Sequence, residues 1–273
     1  MTMDRRQFLR AVAGGTAGVA VIGSAGLALA GGGVRITRHE VKMAVPAGKR
    51  LRIAHLTDIH VGWGTSTETL KTAQVQARLV KPDLMVLTGD YLNHSLAELD
   101  TLRAWVRGLP RPCVATLGNH DHWSGALGIR RMLEEEGIIV LSNENLLLPV
   151  AGHPLRIVGV DDGFSHHDDI GQAFMNVSRP QDALVLSHDP KTADAIARTG
   201  ARLVVSGHTH GGQFDIPVLT SAVAAMAGMK YLKGWYTIDD MRLYVNAGVG
   251  SSVPSGRNGA ASSELAIYDL VAG

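Results

Sequence analysis

Cysteine is nearly absent from this 273-residue chain, Cys113 being the only one. A lone thiol excludes an intrachain disulfide and a Cys-rich structural zinc, both of which need several sulfurs. Cys113 leads into an apolar run, so it reads as a small buried hydrophobe and not as a reactive thiol. Charge of one sign is also missing. Lys and Arg number 26 against 25 Asp and Glu, for a formal net charge of +1, and no basic patch invites nucleic acid on charge alone. No internal repeat or low-complexity linker interrupts residues 31–273, a length suited to one substantial domain.

What the chain does have is a series of polar segments behind apolar runs. Leu51 to Leu56, Leu84 to Leu87, Val114 to Leu117, Ala183 to Leu186 and Leu203 to Val205 read as buried strands. They lead into Asp58-Ile59-His60, Gly89-Asp90, Gly118-Asn119-His120-Asp121, His188 and Gly207-His208-Thr209-His210. In an α/β protein the ends of such strands are where a site is kept. Carboxylate oxygen and neutral imidazole nitrogen without thiolate suit Mn, Fe or Zn. Asp58 and His60 stand two apart, as do His208 and His210, so on an extended strand each pair leaves one face. Asp58, His60, Asp90, Asn119, His188, His208 and His210 exceed the three or four ligands of one tetrahedral ion, and two divalent ions sharing a carboxylate, Asp90, is the economical reading.

The order D-x-H, G-D, G-N-H-D, H, G-H-x-H resembles the calcineurin-like metallophosphoesterase superfamily over Asp58 to His210. Gly207-His-Thr-His-Gly-Gly-Gln213, Leu186-Ser-His-Asp-Pro190 and Tyr244-Val-Asn-Ala-Gly-Val-Gly250 are similar to its exported bacterial branch, which includes lipid A precursor UDP-sugar pyrophosphatases. The resemblance implies an α/β (α+β) fold, a four-layer αββα sandwich of two mixed sheets flanked by helices. It implies one metal on Asp58, His60, Asp90 and His210, a second on Asp90, Asn119, His188 and His208, and His120 as a catalytic non-ligand against substrate. Two ions about 3.5–4 Å apart would lower the pKa of a bridging water and steady an in-line displacement, so no phosphoenzyme is required.

One segment departs from the protein-phosphatase branch, where the second motif reads G-D-x-x-D-R-G and its later Asp orients the His of G-N-H. Here Asn93 takes that place and no Arg follows. Its amide is expected to orient His120 without stabilising a cation as a carboxylate would, which argues against a protein phosphatase. His55 reads as a hydrogen-bonded structural residue, and His39 and His153 as surface residues. His94 and His122 flank the motifs and either reach substrate or hydrogen-bond behind the ligands; Asn93 and Arg257 are further candidates for touching substrate, with a solvated arginine as the alternative for Arg257. The polar loop from Asp161 to Asp169 is either a cover for the site or a solvated connection with a helix N-cap.

Helices are expected over Thr65 to Val80, Ser95 to Arg107, Ser124 to Glu136, Asp168 to Val177 and Pro190 to Thr199, with a hairpin turning at Ala151 to Pro154. Ile216 to Met229 is apolar and small-residued, which fits a buried helix, an acyl-chain site or contact with a membrane surface. Residues 1–30 read as an address. Arg5-Arg6-Gln7-Phe8-Leu9-Arg10 resembles a twin-arginine signal, followed by a Gly/Ala-rich run ending at Ala30. Cleavage would remove three Arg and one Asp and leave a formal charge of −1; retention would make the run a membrane anchor.

The expectation is therefore an exported phosphohydrolase, in the periplasm or on the outer face of the cytoplasmic membrane, delivered by the twin-arginine machinery. It would cleave a phosphodiester or pyrophosphate bond of a phosphorylated small-molecule or lipid-linked substrate. A broad phosphomonoesterase and a non-catalytic metal-binding envelope protein are the alternatives. Replacing Arg5 and Arg6 by Lys should trap the precursor in the cytoplasm, because the pathway reads the paired guanidinium groups and not charge alone. Cell fractionation checks it, and unchanged delivery of the double-Lys chain would point to the general secretory route or a simple anchor.

Overall fold

A computed structural model describes residues 33–62, 64–212, 214–215, 230–252, 258–259 and 263–273. The expected export signal at residues 1–30, the segment 216–229 and Arg257 lie outside the described residues. The strands are β1 (Arg35–Met43), β2 (Arg50–Leu56), β3 (Leu84–Thr88), β4 (Cys113–Thr116), β5 (Ile139–Val140), β6 (Glu144–Val150) and β7 (His153–Val160). They continue with β8 (Ala183–Ser187), β9 (Leu203–Ser206), β10 (Phe214–Asp215), β11 (Gly234–Ile238), β12 (Met241–Val245), β13 (Asn258–Gly259) and β14 (Glu264–Ala272). The helices are α1 (Thr67–Leu79), α2 (Leu99–Val106), α3 (Asn119–Ser124), α4 (Ala126–Glu135), α5 (Ile170–Ala173) and α6 (Ala193–Ile196).

Two six-stranded sheets carry the chain, in the orders β1-β14-β2-β3-β4-β5 and β11-β12-β9-β8-β7-β6. Both are mixed. The β14–β2 pair is antiparallel within the first, and β11–β12 and β6–β7 are antiparallel at opposite edges of the second. Central strands are apolar on both faces because both faces are covered. In β3, Leu84 and Val86 meet β8 residues Leu184 and Leu186 in the core between the sheets. Met85 and Leu87 point the other way, into a core shared with Leu70 and Ala73 of α1, Leu102 of α2 and Ile129 of α4. Ala183 and Val185 of β8 face a third core with Ile196 of α6. Helix, sheet, sheet and helix thus form the expected four layers. Among the described residues no helix is long and apolar enough to cross a membrane.

Several expected elements come out shorter, for local reasons. The 95–107 helix opens as a 3-10 turn at Leu96–Glu98, capped by Ser95, before α2 begins. The 168–177 helix contracts to α5, whose end is closed by the Asn145 side chain donating to the carbonyls of Ala173 (2.8 Å) and Met175 (3.0 Å). The 190–199 helix is α6 between two 3-10 turns, stopped by left-handed Gly200. The hairpin turns on Ala151 and Gly152 alone, with φ of 46° and 74°, the combination a two-residue turn needs. His153 is consequently a strand residue and not a turn residue, with Nε2 3.1 Å from the Ala44 carbonyl oxygen.

His39 is half-buried and not a plain surface residue. Its ring packs edge-on to Trp235 at 5.4 Å and against Tyr244 at 4.5 Å, joining β1 to the second sheet. His55 is structural as expected: wholly buried, with Nδ1 3.0 Å from the Tyr268 hydroxyl and Nε2 2.8 Å from Thr88 Oγ1. Burial pushes its pKa down to about 3, so it stays neutral. Cys113 is buried as expected, and burial raises its thiol to about 12.

Glu264 on β14 ties the two sheets together. It is 1% exposed and accepts from Thr37 Oγ1 (2.6 Å), from the Tyr244 hydroxyl (2.5 Å) and from the Ala247 N–H (2.9 Å). Glu264→Ala would leave these donors buried without an acceptor, so it should cost about 3 kcal/mol. Urea unfolding reads this as a lower midpoint at constant slope.

Candidate metal centre and active site

The sequence motifs converge where the C-terminal ends of β2, β3 and β4 meet those of β8 and β9. The expectation that D-x-H continues an extended strand is not met, because β2 ends at Leu56. Asp58 (φ 51°), His60 (φ 46°), Asp90 (φ 57°), His208 (φ 73°) and His210 (φ 53°) are all left-handed, at a cost of about 1–2 kcal/mol each for non-glycine residues. Neighbouring backbone holds them there. Asp58 N–H donates to Gly89 O (3.0 Å), Ile59 and His60 N–H both donate to Asp90 O (2.8 and 3.0 Å), and Gly250 N–H donates to Asp58 O (2.6 Å). The local reversals, not a pleat, bring each pair of side chains into one cluster.

Two groups of atoms then face each other. In the first, Asp58, His60, Asp90 and His210 each offer a ligand atom, all within 4.8 Å of one another. His60 Nε2 lies 3.1 Å from His210 Nε2 and 3.6 Å from Asp90 Oδ2, and His210 Nε2 lies 3.4 Å from Asp58 Oδ1. In the second, Asp90, His188 and His208 do the same. Asp90 Oδ2 is 3.2 Å from His188 Nε2, which is 3.3 Å from His208 Nδ1, itself 2.9 Å from Asn119 Oδ1. Asp90 belongs to both groups, and it is Oδ2 that faces them, because Oδ1 accepts the His120 N–H at 2.9 Å.

The arrangement fits divalent metal ions. His188 Nδ1 donates to the Thr88 carbonyl (2.6 Å) and His210 Nδ1 to that of Gly250 (3.2 Å), which leaves the Nε2 lone pairs aimed inward. Imidazole nitrogens and carboxylate oxygens pointed at one another in a dry site need a proton or a metal cation among them; burial opposes a charge on His188, but Asp90 beside it raises its pKa well above the usual value. Burial opposes ionisation of Asp90 and Asp58, but the surrounding imidazoles, His188 foremost for Asp90 and His210 for Asp58, hold both carboxyls below their usual range. Burial pushes His60 down to about 3, the neutral form a ligand needs.

Glycines let these groups meet. A Cβ at Gly118 would strike Asp90 Oδ1 and the His188 ring, and one at Gly207 would strike Thr57 and Asp58. Asp121, the last residue of the G-N-H-D motif, supports the shared Asp90 from behind, a role its sequence context did not signal. It is fully buried and accepts from the N–H groups of Asp90 (2.8 Å), Tyr91 (2.8 Å) and Gly118 (2.9 Å). Burial, then the Asp90 charge, raises it to about 7.

His120 stands outside both groups, its ring edge-on to His60 at 4.8 Å. The Asn93 amide was expected to orient it; instead its Nδ1 sits 2.6 Å from the Asn93 backbone carbonyl oxygen. Main chain does this orienting. His122 is held by Asp161, Nε2 to Oδ1 at 2.8 Å, and stacks on His167 at 3.8 Å. Burial opposes a charge on His122, and the Asp161 hydrogen bond outweighs it, so its pKa is raised. In the Asp161–Asp169 loop Asp169 caps α5 through the Gln172 N–H (2.8 Å), as the N-cap reading expected, and Phe164 packs on His208 at 4.8 Å.

Residues 51–212 match the family described as calcineurin-like phosphoesterase. The chain belongs to that family. This phosphoesterase is a metal-dependent hydrolase. It is 28% identical to phosphodiesterase YaeI of Escherichia coli over 258 residues, 91% of this chain and 93% of that one. It is 29% identical to the uncharacterized metallophosphoesterase YkuE of Bacillus subtilis over 269 residues, 91% of each. It is 25% identical to the UDP-2,3-diacylglucosamine pyrophosphatase LpxG of Chlamydia muridarum over 73% of this chain and 78% of that one. Its fold matches a 5'-nucleotidase precursor from Thermus thermophilus with a TM-score of 0.52 at 14% identity, covering 82% of this chain and 54% of that one.

Asp121→Asn would turn an amide N–H₂ or a weaker acceptor toward backbone N–H groups that now meet a carboxylate. The expected outcome is a fall in metal affinity of about 10–100-fold, measured by competition with a chelating indicator, with far-UV circular dichroism unchanged. Undiminished affinity would show that Asp90 is placed without help from Asp121.

Proposed function

We propose that this phosphoesterase is an exported binuclear enzyme that cleaves a phosphodiester or pyrophosphate bond, on a lipid-linked or nucleotide-sugar substrate. The observation that carries the reading is the convergence of two ligand groups on Asp90 Oδ2 with His120 beside them and outside both. In this reading Asp58, His60, Asp90 and His210 hold one ion, and Asp90, Asn119, His188 and His208 the other. The ions supply Lewis-acid polarisation of the phosphoryl group and a water acidic enough to act near neutral pH. The likeness to a phosphodiesterase and to a UDP-sugar pyrophosphatase favours these bonds over a monoester.

The chain's own part is positioning and one proton. Asn93 O, by accepting from Nδ1, fixes the His120 ring and leaves Nε2 as its free polar edge. Protonated, that edge can donate to the leaving oxygen or stabilise charge developing on it. Asp121 and the backbone around Asp90 keep the shared oxygen still while charge shifts.

Metal-loaded protein should hydrolyse bis-p-nitrophenyl phosphate faster than p-nitrophenyl phosphate and should cleave UDP-diacylglucosamine. The reverse order of the aryl substrates would favour a phosphomonoesterase, and no turnover at all a binding protein. His120→Ala should lower turnover about 10²–10⁴-fold with both metals retained. The loss should be smaller for aryl than for alkyl diesters, since p-nitrophenolate leaves with little need of a proton. Equal losses would make His120 a phosphate-binding group and not an acid.

A further inference from the structure

Two large aromatic side chains stand half in water at the edge of the metal centre. Trp123 is 57% exposed and Phe164 47%, although aromatic residues are only 5% of the chain. Single exposed aromatics need no explanation, but these two are joined to each other and to the site. The Trp123 ring lies 4.9 Å from that of His120, the Trp123 and Phe164 rings meet edge to face at 6.2 Å, and Phe164 lies 4.8 Å from His208. One unbroken chain of ring contacts therefore runs from the proposed acid to a proposed ligand.

The row is held in place. Trp123 sits on α3, the helix that also carries Asn119 and His120. Phe164 sits in a turn fixed by Asp162, whose Oδ2 accepts from the Ser165 N–H (2.6 Å) and hydroxyl (2.5 Å) and whose carbonyl accepts from the His167 N–H (2.8 Å). Pre-ordered rings lose little freedom when something binds to them.

We propose that Trp123 and Phe164 form a subsite for a flat aromatic ring, a nucleobase or an aryl group, carried by the phosphoryl substrate. The proposal rests on the phosphoesterase reading in placing the phosphoryl group at the metals. Ring centroids 6.2 Å apart offer a surface of the size of one flat ring system. Offset and edge-on packing on ring faces is also the geometry that planar ligands gain from and flexible chains do not.

Non-hydrolysable phosphonates test it on the metal-loaded full chain, with dissociation constants from calorimetry and quenching of tryptophan fluorescence. Methylphosphonate, octylphosphonate, naphthylmethylphosphonate and a uridine phosphonate share the phosphoryl anchor and differ in the appended group. Expected is tighter binding of the naphthyl or the uridine compound than of methylphosphonate by about 10-fold or more, and tighter than octylphosphonate. That ratio should fall toward one in Trp123→Ala and in Phe164→Ala, and using the ratio cancels any loss common to all ligands. Naphthyl against uridine separates a carbocyclic ring from a nucleobase. Preferred binding of octylphosphonate, or an aromatic preference that survives in both variants, overturns the proposal. Because no ligand is turned over, the subsite can stand where no phosphodiester is cleaved, and it can fail where one is.

Discussion

A handful of buried electron-rich atoms aimed at one another is the constraint on which the rest of the structure depends. Asp90 Oδ2 faces His60 Nε2 on one side and His188 Nε2 on the other, and carbonyls behind His188 and His210 fix where the lone pairs point. Such a cluster needs a proton or a cation among its atoms, and the fold must hold it together by other means as well. It does so with two opposed sheets, with left-handed residues pinned by neighbouring strands, and with Asp121 gathering three N–H groups behind Asp90. Stability elsewhere, in the three hydrophobic cores and in the Glu264 link between sheets, offsets the strain concentrated here.

Central strands were legible in the sequence because burial on both faces leaves an unbroken apolar run, as in Leu84–Thr88 and Ala183–Ser187. The residue types of the site were legible as well, since carboxylates and imidazoles after such runs have little other reason to be there. Local conformation was not. The spacing of Asp58 and His60 agrees with a pleat, yet side-chain periodicity carries no mark of the left-handed residues that deliver them. Helices α5 and α6 were overestimated because the groups that end them, the Asn145 amide and left-handed Gly200, are set by tertiary contact and by one glycine.

The least legible contributions come from the main chain and from distant pairs. The acceptor for His120 is a carbonyl, which every residue at position 93 would possess, so the Asn93 side chain was a misleading clue. His39 looked like a surface residue on an alternating strand, but Trp235 and Tyr244 arrive from about two hundred positions away and enclose it. Trp123 and Phe164 meet only because α3 and the Asp162 turn lie on the same rim.

The site is also a record of order of assembly. His60 and His210 touch across 150 positions of sequence, as do Asp58 and His208, and one partner of each contact follows a strand of the first sheet while the other follows a strand of the second. A chain growing from its N-terminus displays Asp58, His60 and Asp90 long before the histidines that complete either group exist. Early segments can offer a cation only a partial, loosely held grip; the full set appears when β9 has docked and the sheets have closed face to face. Ion capture is therefore a late event, and an occupied centre certifies that both halves of the sandwich have found each other.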